Sequence, residues 1–189
     1  MDSTRDRIFE VALSLFAERG YATVGVQDVC EAASITKPTL YYHFGCKRGL
    51  LEAIAGARYG AFVERASAAC AYRGDVAVSL VSLLGTFLDA ARSDAAFTRL
   101  RLALAFSPPA SEAHAVFRPF TEKLYASVRD LFIAAAHDHG NMAGRDLPYA
   151  ASFIGTADAY VGLLLAGALD PDDALVRRVV HHYMHGIFS

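Results

Sequence analysis

The chain has 189 residues, a net charge of −2, 54% apolar residues and 20% charged ones. That length suits one medium domain or a small head on a larger body, and the slightly acidic balance excludes a globally basic nucleic-acid binder. Three cysteines at irregular spacing make neither a zinc motif nor a disulfide framework, which fits a reduced, intracellular setting. The large apolar share calls for an oligomer interface or a lined cavity to absorb it.

Helical spacing runs along the chain, and strand alternation is absent. The spacing predicts nine helices and no sheet. The first covers 4–19, with Ile8, Ala12, Leu13 and Phe16 on one face, Ser3 or Thr4 as N-cap and Gly20 as stop. Two short helices follow at 26–33 and 37–44, then a long one at 47–71. Helices at 74–92 and 95–106 come next, the latter ended by Pro108-Pro109. A seventh covers 111–138 and closes at Gly140, before a polar loop at 139–147. Pro148 opens an eighth to 169, and Asp170-Pro171-Asp172 separates it from a ninth at 173–188. The most apolar stretch, 149–169, holds Asp158 and several Gly and Ala, so it reads as a buried interface helix and not as a membrane span. The charged N-terminus has no apolar signal core, and a cytoplasmic protein without a membrane partner is expected.

The segment 26–44 carries the functional signal. Val26, Val29, Cys30 and Ala33 share one face of the first short helix, and Leu40 and Phe44 lie on the inner face of the second. Two short helices joined by a tight turn over one small core make a helix-turn-helix. Thr36 is a natural N-cap for the second helix, and Pro38 is tolerated in its first turn. Lys37, Thr39, Tyr41, Tyr42 and His43 are left facing outward, a set that suits base edges and phosphates in a major groove. So many aromatic groups on a short solvent helix need a reason, and packing on sugar-phosphate supplies one. Lys47, at the start of the long helix, suits a phosphate held by helix N-terminal amides. Charge adds little, because the first 50 residues are near-neutral.

Residues 4–51 resemble the N-terminal domain of the TetR family of bacterial repressors. The resemblance rests on Ile8, Ala12, Phe16, Gly20-Tyr21, Val26, Asp28-Val29 and Ala32-Ala33, on the run Ile35 to Phe44, and on Lys47 with Leu50-Leu51. It implies an all-α, two-domain protein. A DNA-binding domain at 1–47 would precede a ligand-binding and dimerisation domain at 48–189. It implies that Lys37, Thr39 and His43 read bases, that Thr36, Tyr41, Tyr42 and Lys47 contact phosphate, and that Gln27 reaches the DNA backbone. Three positions depart from the family pattern. Val24-Gly25 replaces a hydroxyl pair before the second helix, so a side-chain cap is lost, although Gly is an acceptable cap. Ser34 stands where a turn Gly is common, and a positive φ there would strain it slightly. Cys46 stands where Ser, Asn or Asp usually caps the fourth helix; a poor cap is favoured over a redox sensor.

The body has no motif of that strength. Family resemblance suggests an apolar cavity lined from Tyr59, Phe62, Phe87, Phe106, Phe117, Phe120, Tyr125 and Phe153, with His114 and Asp158 as polar groups, although large aromatics at helical spacing are core more often than ligand contacts. It would take a small, largely apolar inducer. The last two helices are the candidates for an isologous four-helix dimer, through Val161, Leu164, Leu165, Ala168, Val176, Val180, Tyr183, Met184 and Ile187. His181 and His185 have the spacing of a metal pair but no evident third ligand, so neither a metal nor another cofactor is expected. No hydrolase elbow, phosphate-binding Gly loop, His-Glu-x-x-His or Cys-x-x-Cys is present, which leaves a helical enzyme with little support. The expected function is a ligand-responsive homodimeric repressor that binds a double-stranded operator. A helical module that binds proteins through the same head is the alternative.

Overall fold

A computed structural model of the chain describes residues 3–186. Among them are nine α-helices and no strand. These are α1 Thr4–Arg19, α2 Val26–Ala32, α3 Lys37–Phe44, a continuous α4 over 47–69, α5 Val76–Ser93, α6 Ala95–Ala105, α7 Glu112–Asp138, α8 Asp146–Leu165 and α9 Asp173–His185. A single π-helical stretch, Ala55–Tyr59, interrupts α4 without ending it. A 3₁₀ turn, Gly140–Met142, precedes α8.

The chain forms two compact units. The first comprises Met1–Ala61 and Asp94–Phe120, and the second Phe62–Ser93 and Thr121–Ser189. These packing units are a different division from the functional one expected at residue 47.

In the first unit, α1 is organised by its ends and its inner face. Ser3 and Asp6 form a reciprocal capping box, at 3.1 and 3.3 Å. Ile8, Ala12, Leu13 and Phe16 are buried, as the spacing predicts, and α1 packs along α6. Arg58 of the π-helical stretch pairs with Glu10 of α1, and its Nε lies 3.4 Å from Asp94. Asp94 also caps α6 by accepting from the Phe97 amide at 3.0 Å. Tyr59 stacks on Phe120, with centroids 5.4 Å apart, and touches Phe97 and Phe117.

In the second unit, α5 packs on α8 and α9. Phe62 and Phe87 meet edge to face at 5.0 Å, as do Phe153 and Tyr183. The Tyr183 hydroxyl donates to the Tyr149 carbonyl at 2.8 Å. Among the described residues, α5 is the one helix long and apolar enough to cross a membrane; half of it is buried within its own unit.

The predicted boundaries are corrected at α8. The helix begins at Asp146, whose carboxylate accepts from Arg129 at 2.7 Å, two residues ahead of Pro148. It ends at Leu165 and not at 169. Gly167 has φ +70°, and the amides of Gly167 and Ala168 turn back to Leu164 and Leu163, a left-handed helix stop. Ala168 therefore lies outside the helix. Gly186, at φ +80°, ends α9 at His185. The rest of the predicted ninth helix, with the dimer candidate Ile187, lies outside the described residues.

The turn between α2 and α3 is of the same kind. Ser34 has φ +52°, while its amide reaches Glu31 O at 3.1 Å and the Ile35 amide reaches Cys30 O at 3.0 Å. The strain expected at a non-glycine residue here is present. The junction of α3 and α4 has the opposite requirement. A Cβ on Gly49 would lie 2.1 Å from the Phe44 carbonyl oxygen, so these helices approach too closely for any side chain there. Ser34→Gly should therefore raise stability by about 0.5–1 kcal/mol, because the left-handed cost of roughly 1–2 kcal/mol is partly offset by glycine's chain entropy. Gly49→Ala should lower it by about 2 kcal/mol or more, a fall in Tm of roughly 4–8 °C. Thermal unfolding of the two variants checks both signs.

Candidate DNA-binding head

The head is built from helices too short to stand alone. α2 has seven residues and α3 has eight, well under the length at which an isolated helix is stable in water. Each gives its apolar side chains to a core shared with α1 and α4. Val29 and Cys30 of α2, Leu40 and Phe44 of α3, and Leu50, Leu51 and Ile54 of α4 are buried. The Arg5 guanidinium covers the Phe44 ring at 5.2 Å and ties the start of α1 to the end of α3.

The entry to α2 recovers part of the missing cap. Gly25 supplies no side chain, but its amide donates to the Asp28 carboxylate at 2.6 Å. The third residue of the helix thus closes the turn from inside. Gln27 is exposed, and its side-chain amide donates to Glu31 at 2.7 Å, one helical turn on. Thr36 is the N-cap residue of α3 by backbone geometry, yet its hydroxyl does not cap the helix. It pairs with the Thr39 hydroxyl at 2.9 Å.

With Leu40 and Phe44 turned inward, the outer face of α3 is polar and aromatic. Lys37 is exposed, Tyr41 is 45% exposed and Tyr42 is 85% exposed. Thr39 and His43 are half-buried, and the His43 ring meets Tyr42 edge to face at 5.1 Å. Thr36, Lys37, Thr39, Tyr41, Tyr42 and His43 are thus carried on a single turn and helix.

Lys47 is placed differently. It is half-buried, with Nζ 4.2 Å from the Tyr21 ring centroid. Burial lowers the proton affinity of its ammonium, while the Glu112 and Asp28 carboxylates act in the other direction. Cys46 caps α4: its Sγ accepts from the Gly49 amide at 3.4 Å. Cys46 thus fills the N-cap position of α4 with a sulfur acceptor. Gly49 was not read from the sequence as a head-building residue, nor was the contact of Tyr21 with Lys47. The signal for Gly49 was a glycine inside an otherwise regular helix start.

The body candidates divide by unit. In the first, Tyr59, Phe117 and Phe120 form a ring cluster, His114 is half-buried and Phe106 is 96% exposed. Phe106 thus lines no enclosed site. In the second, Phe62, Phe87 and Phe153 are buried core. Tyr125 and Asp158 are half-buried; burial first, and then the Asp158 carboxylate, push the Tyr125 phenol above its ordinary range. Grooves of about 240 and 580 Å³ open at Val76, Tyr149 and Met184 and at Val78, Arg177 and His181, and they are lined by none of these candidates.

Of the dimer candidates, Val161 and Val180 are 0% and 2% exposed, packed inside the unit, so they offer no surface to a partner. Leu164, Leu165, Val176 and Tyr183 are half-buried, and Ala168 and Met184 are exposed. The open face of α8 is a neighbouring stripe of Ser152, Gly155, Ala159, Leu163 and Ala166. The His181 and His185 rings lie 4.6 Å apart on the exposed side of α9. Among the described residues no three His, Cys, Asp or Glu side chains gather as metal ligands.

The three thiols differ in access. Cys46 is exposed, whereas Cys30 and Cys70 are buried. Burial pushes the Cys30 thiol up and raises that of Cys70 to about 12. Alkylation of the folded protein near neutral pH should label Cys46 alone, with Cys30 and Cys70 reacting after denaturation. Peptide mass mapping checks this, and early labelling of Cys70 would contradict the packing of α4.

Comparison with known proteins agrees with this geometry. The pattern of the family described as "Bacterial regulatory proteins, tetR family" matches residues 8–54. The biofilm operon icaADBC HTH-type negative transcriptional regulator IcaR of Staphylococcus aureus is 38% identical over 48 residues, which are 25% of this chain and 26% of IcaR. The match thus spans about a quarter of that relative's length. Among solved structures, a TetR-family transcriptional regulator from Bordetella parapertussis superposes with TM-score 0.80 at 21% identity, over 100% of this chain and 97% of its own. FadR from Bacillus subtilis, solved in complex with stearoyl-CoA, superposes with TM-score 0.77 at 18% identity, over 96% and 98%. Residues 8–54 thus match the TetR-family pattern, and the chain as a whole has the fold of solved TetR-family regulators.

Proposed function

We propose that the protein is a cytoplasmic, homodimeric transcriptional repressor that binds operator DNA through α3 and is released by a small, largely apolar ligand. In this reading residues 1–47 contact DNA, and residues 48–189 bind ligand and dimerise. The observation that carries it is the outer face of α3, where an eight-residue helix leaves Tyr41 and Tyr42 in solvent after its two large apolar groups are buried. Lys37, Thr39 and His43 would read base edges in the major groove. Thr36, Tyr41, Tyr42 and Lys47 would contact phosphate. Gln27 would join them on leaving Glu31. The name of IcaR, a negative regulator, supports repression.

Dimerisation would run through α8 and α9 and would set two heads on successive major grooves, roughly 34–36 Å apart. We assign the contact on α8 to the open stripe centred on Ala159 and Leu163, with Met184 contributing from α9. The stearoyl-CoA held by FadR supports an apolar ligand in the body. In the second unit Phe62, Phe87 and Phe153, with Tyr125 and Asp158 as polar groups, are the side chains such a ligand would displace. Their close packing means that binding would select a minor, opened arrangement, and coupling to DNA would follow from that selection.

Tyr42→Ala and Lys47→Ala should each weaken binding to all duplexes about equally. Lys37→Ala and Thr39→Ala should change sequence preference, at roughly 1–3 kcal/mol per lost base contact. Fluorescence anisotropy over a set of duplexes, at two salt concentrations, measures both effects. Operator binding untouched by all four substitutions would overturn the reading. For the dimer, Leu163→Glu should give a folded monomer in analytical ultracentrifugation, because a carboxylate on a two-fold interface meets its own copy. A dimer that survives this change must be held by another face.

A further inference from the structure

α7 begins at Glu112, in the same compact unit as the head. The Tyr21 phenol, 6% exposed, donates to the Glu112 carboxylate. Tyr21 in turn meets Phe16 edge to face at 5.1 Å. The Lys47 Nζ rests on this pair, 4.2 Å from the Tyr21 centroid and 6.0 Å from that of Phe16. The lysine thus lies on a shelf of two rings, and the outer ring is anchored by a carboxylate 91 residues away in sequence.

The physics favours a fixed lysine. An ammonium over a ring face is attracted by the ring quadrupole. A long side chain that must be immobilised on binding loses rotamer freedom, which weakens binding by several-fold. A lysine already confined by its shelf escapes much of that loss.

We propose that Glu112 is a positioning residue for DNA binding, which fixes the Tyr21 ring and thereby presents the Lys47 ammonium to a backbone phosphate. This rests on the proposed phosphate contact of Lys47. The sign of the effect separates it from plain electrostatics. As a bare charge, a carboxylate near the duplex repels it, and its removal tightens binding. As a positioning group, its removal loosens Lys47 and weakens binding.

The test uses the full chain and its variants Glu112→Ala, Tyr21→Phe, Lys47→Ala and the double variant Glu112→Ala with Lys47→Ala. The probe is a mixed-sequence duplex of about 30 base pairs at low and at physiological salt. Without DNA, the Lys47 Cε resonance reports the side chain's surroundings by NMR. Glu112→Ala and Tyr21→Phe should each weaken binding about three- to tenfold, and both should move the Lys47 resonance toward that of a solvated lysine. The loss from Glu112→Ala should vanish in the Lys47→Ala background. Tyr21→Phe keeps the ring and its core packing, so a misfolded Glu112→Ala protein would leave a decisive variant. Tighter binding by Glu112→Ala, an equal loss in both backgrounds, or a Lys47 resonance unmoved by both single variants would overturn the proposal alone. A wild-type chain that binds no duplex at low salt would overturn the DNA-binding reading and this proposal with it.

Discussion

Two helices of seven and eight residues cannot hold their shape without neighbours. The head depends on that constraint. α2 and α3 survive because α1 and α4 offer a buried surface of Ile8, Ala12, Phe16, Leu50, Leu51 and Ile54. In return α3 must turn Leu40 and Phe44 inward, and its remaining side chains then have nowhere to go but out. The exposed Tyr41 and Tyr42 follow from this division of a short helix into two faces. The exposed face and the stable core are here the same decision, made by which residues occupy positions 40 and 44.

Close packing carries the constraint further. The Phe44 carbonyl approaches Gly49 so nearly that a methyl group has no room. Gly45 turns the chain at φ +73°, and the Cys46 sulfur caps the helix that follows. Within the six residues 44–49, three local devices set the path of the chain around Lys47. None of them is basic or specific to DNA. Their effect is to fix the backbone from which Lys47 reaches the Tyr21 ring.

Helix positions in the head are legible in the sequence because their boundaries have local causes: Ser3, Gly20, Thr36 and Pro38 act within a residue or two of themselves. The left-handed conformation of Ser34 could be anticipated for the same reason. What escaped the sequence is what depends on partners far along the chain. The Asp28 closure of α2 is local, but it comes from the third residue of the helix and not from the cap position, which carries no side chain. The contact of Tyr21 with Glu112 could not be seen, since nothing in either neighbourhood points to the other. The exposure of α8 is another case: Val161 is buried and Leu163 is open. Val161 and Leu163 are equally apolar in sequence, and only the packing of α5 decides which one is inside.

The body shows the limit of reading aromatic residues as a pocket. Phe62, Phe87 and Phe153 are large enough to line a cavity and are instead packed as core. A ligand that enters among them must replace ring-to-ring contacts with its own, so an apolar ligand that recovers the lost contacts is favoured over a polar one. Tyr125 and Asp158 sharpen this: they are polar groups at the edge of that core, with the phenol pushed up by burial and by the carboxylate. For the ligand proposed above, the same core that stabilises the unit would set the cost of entry that binding must exceed.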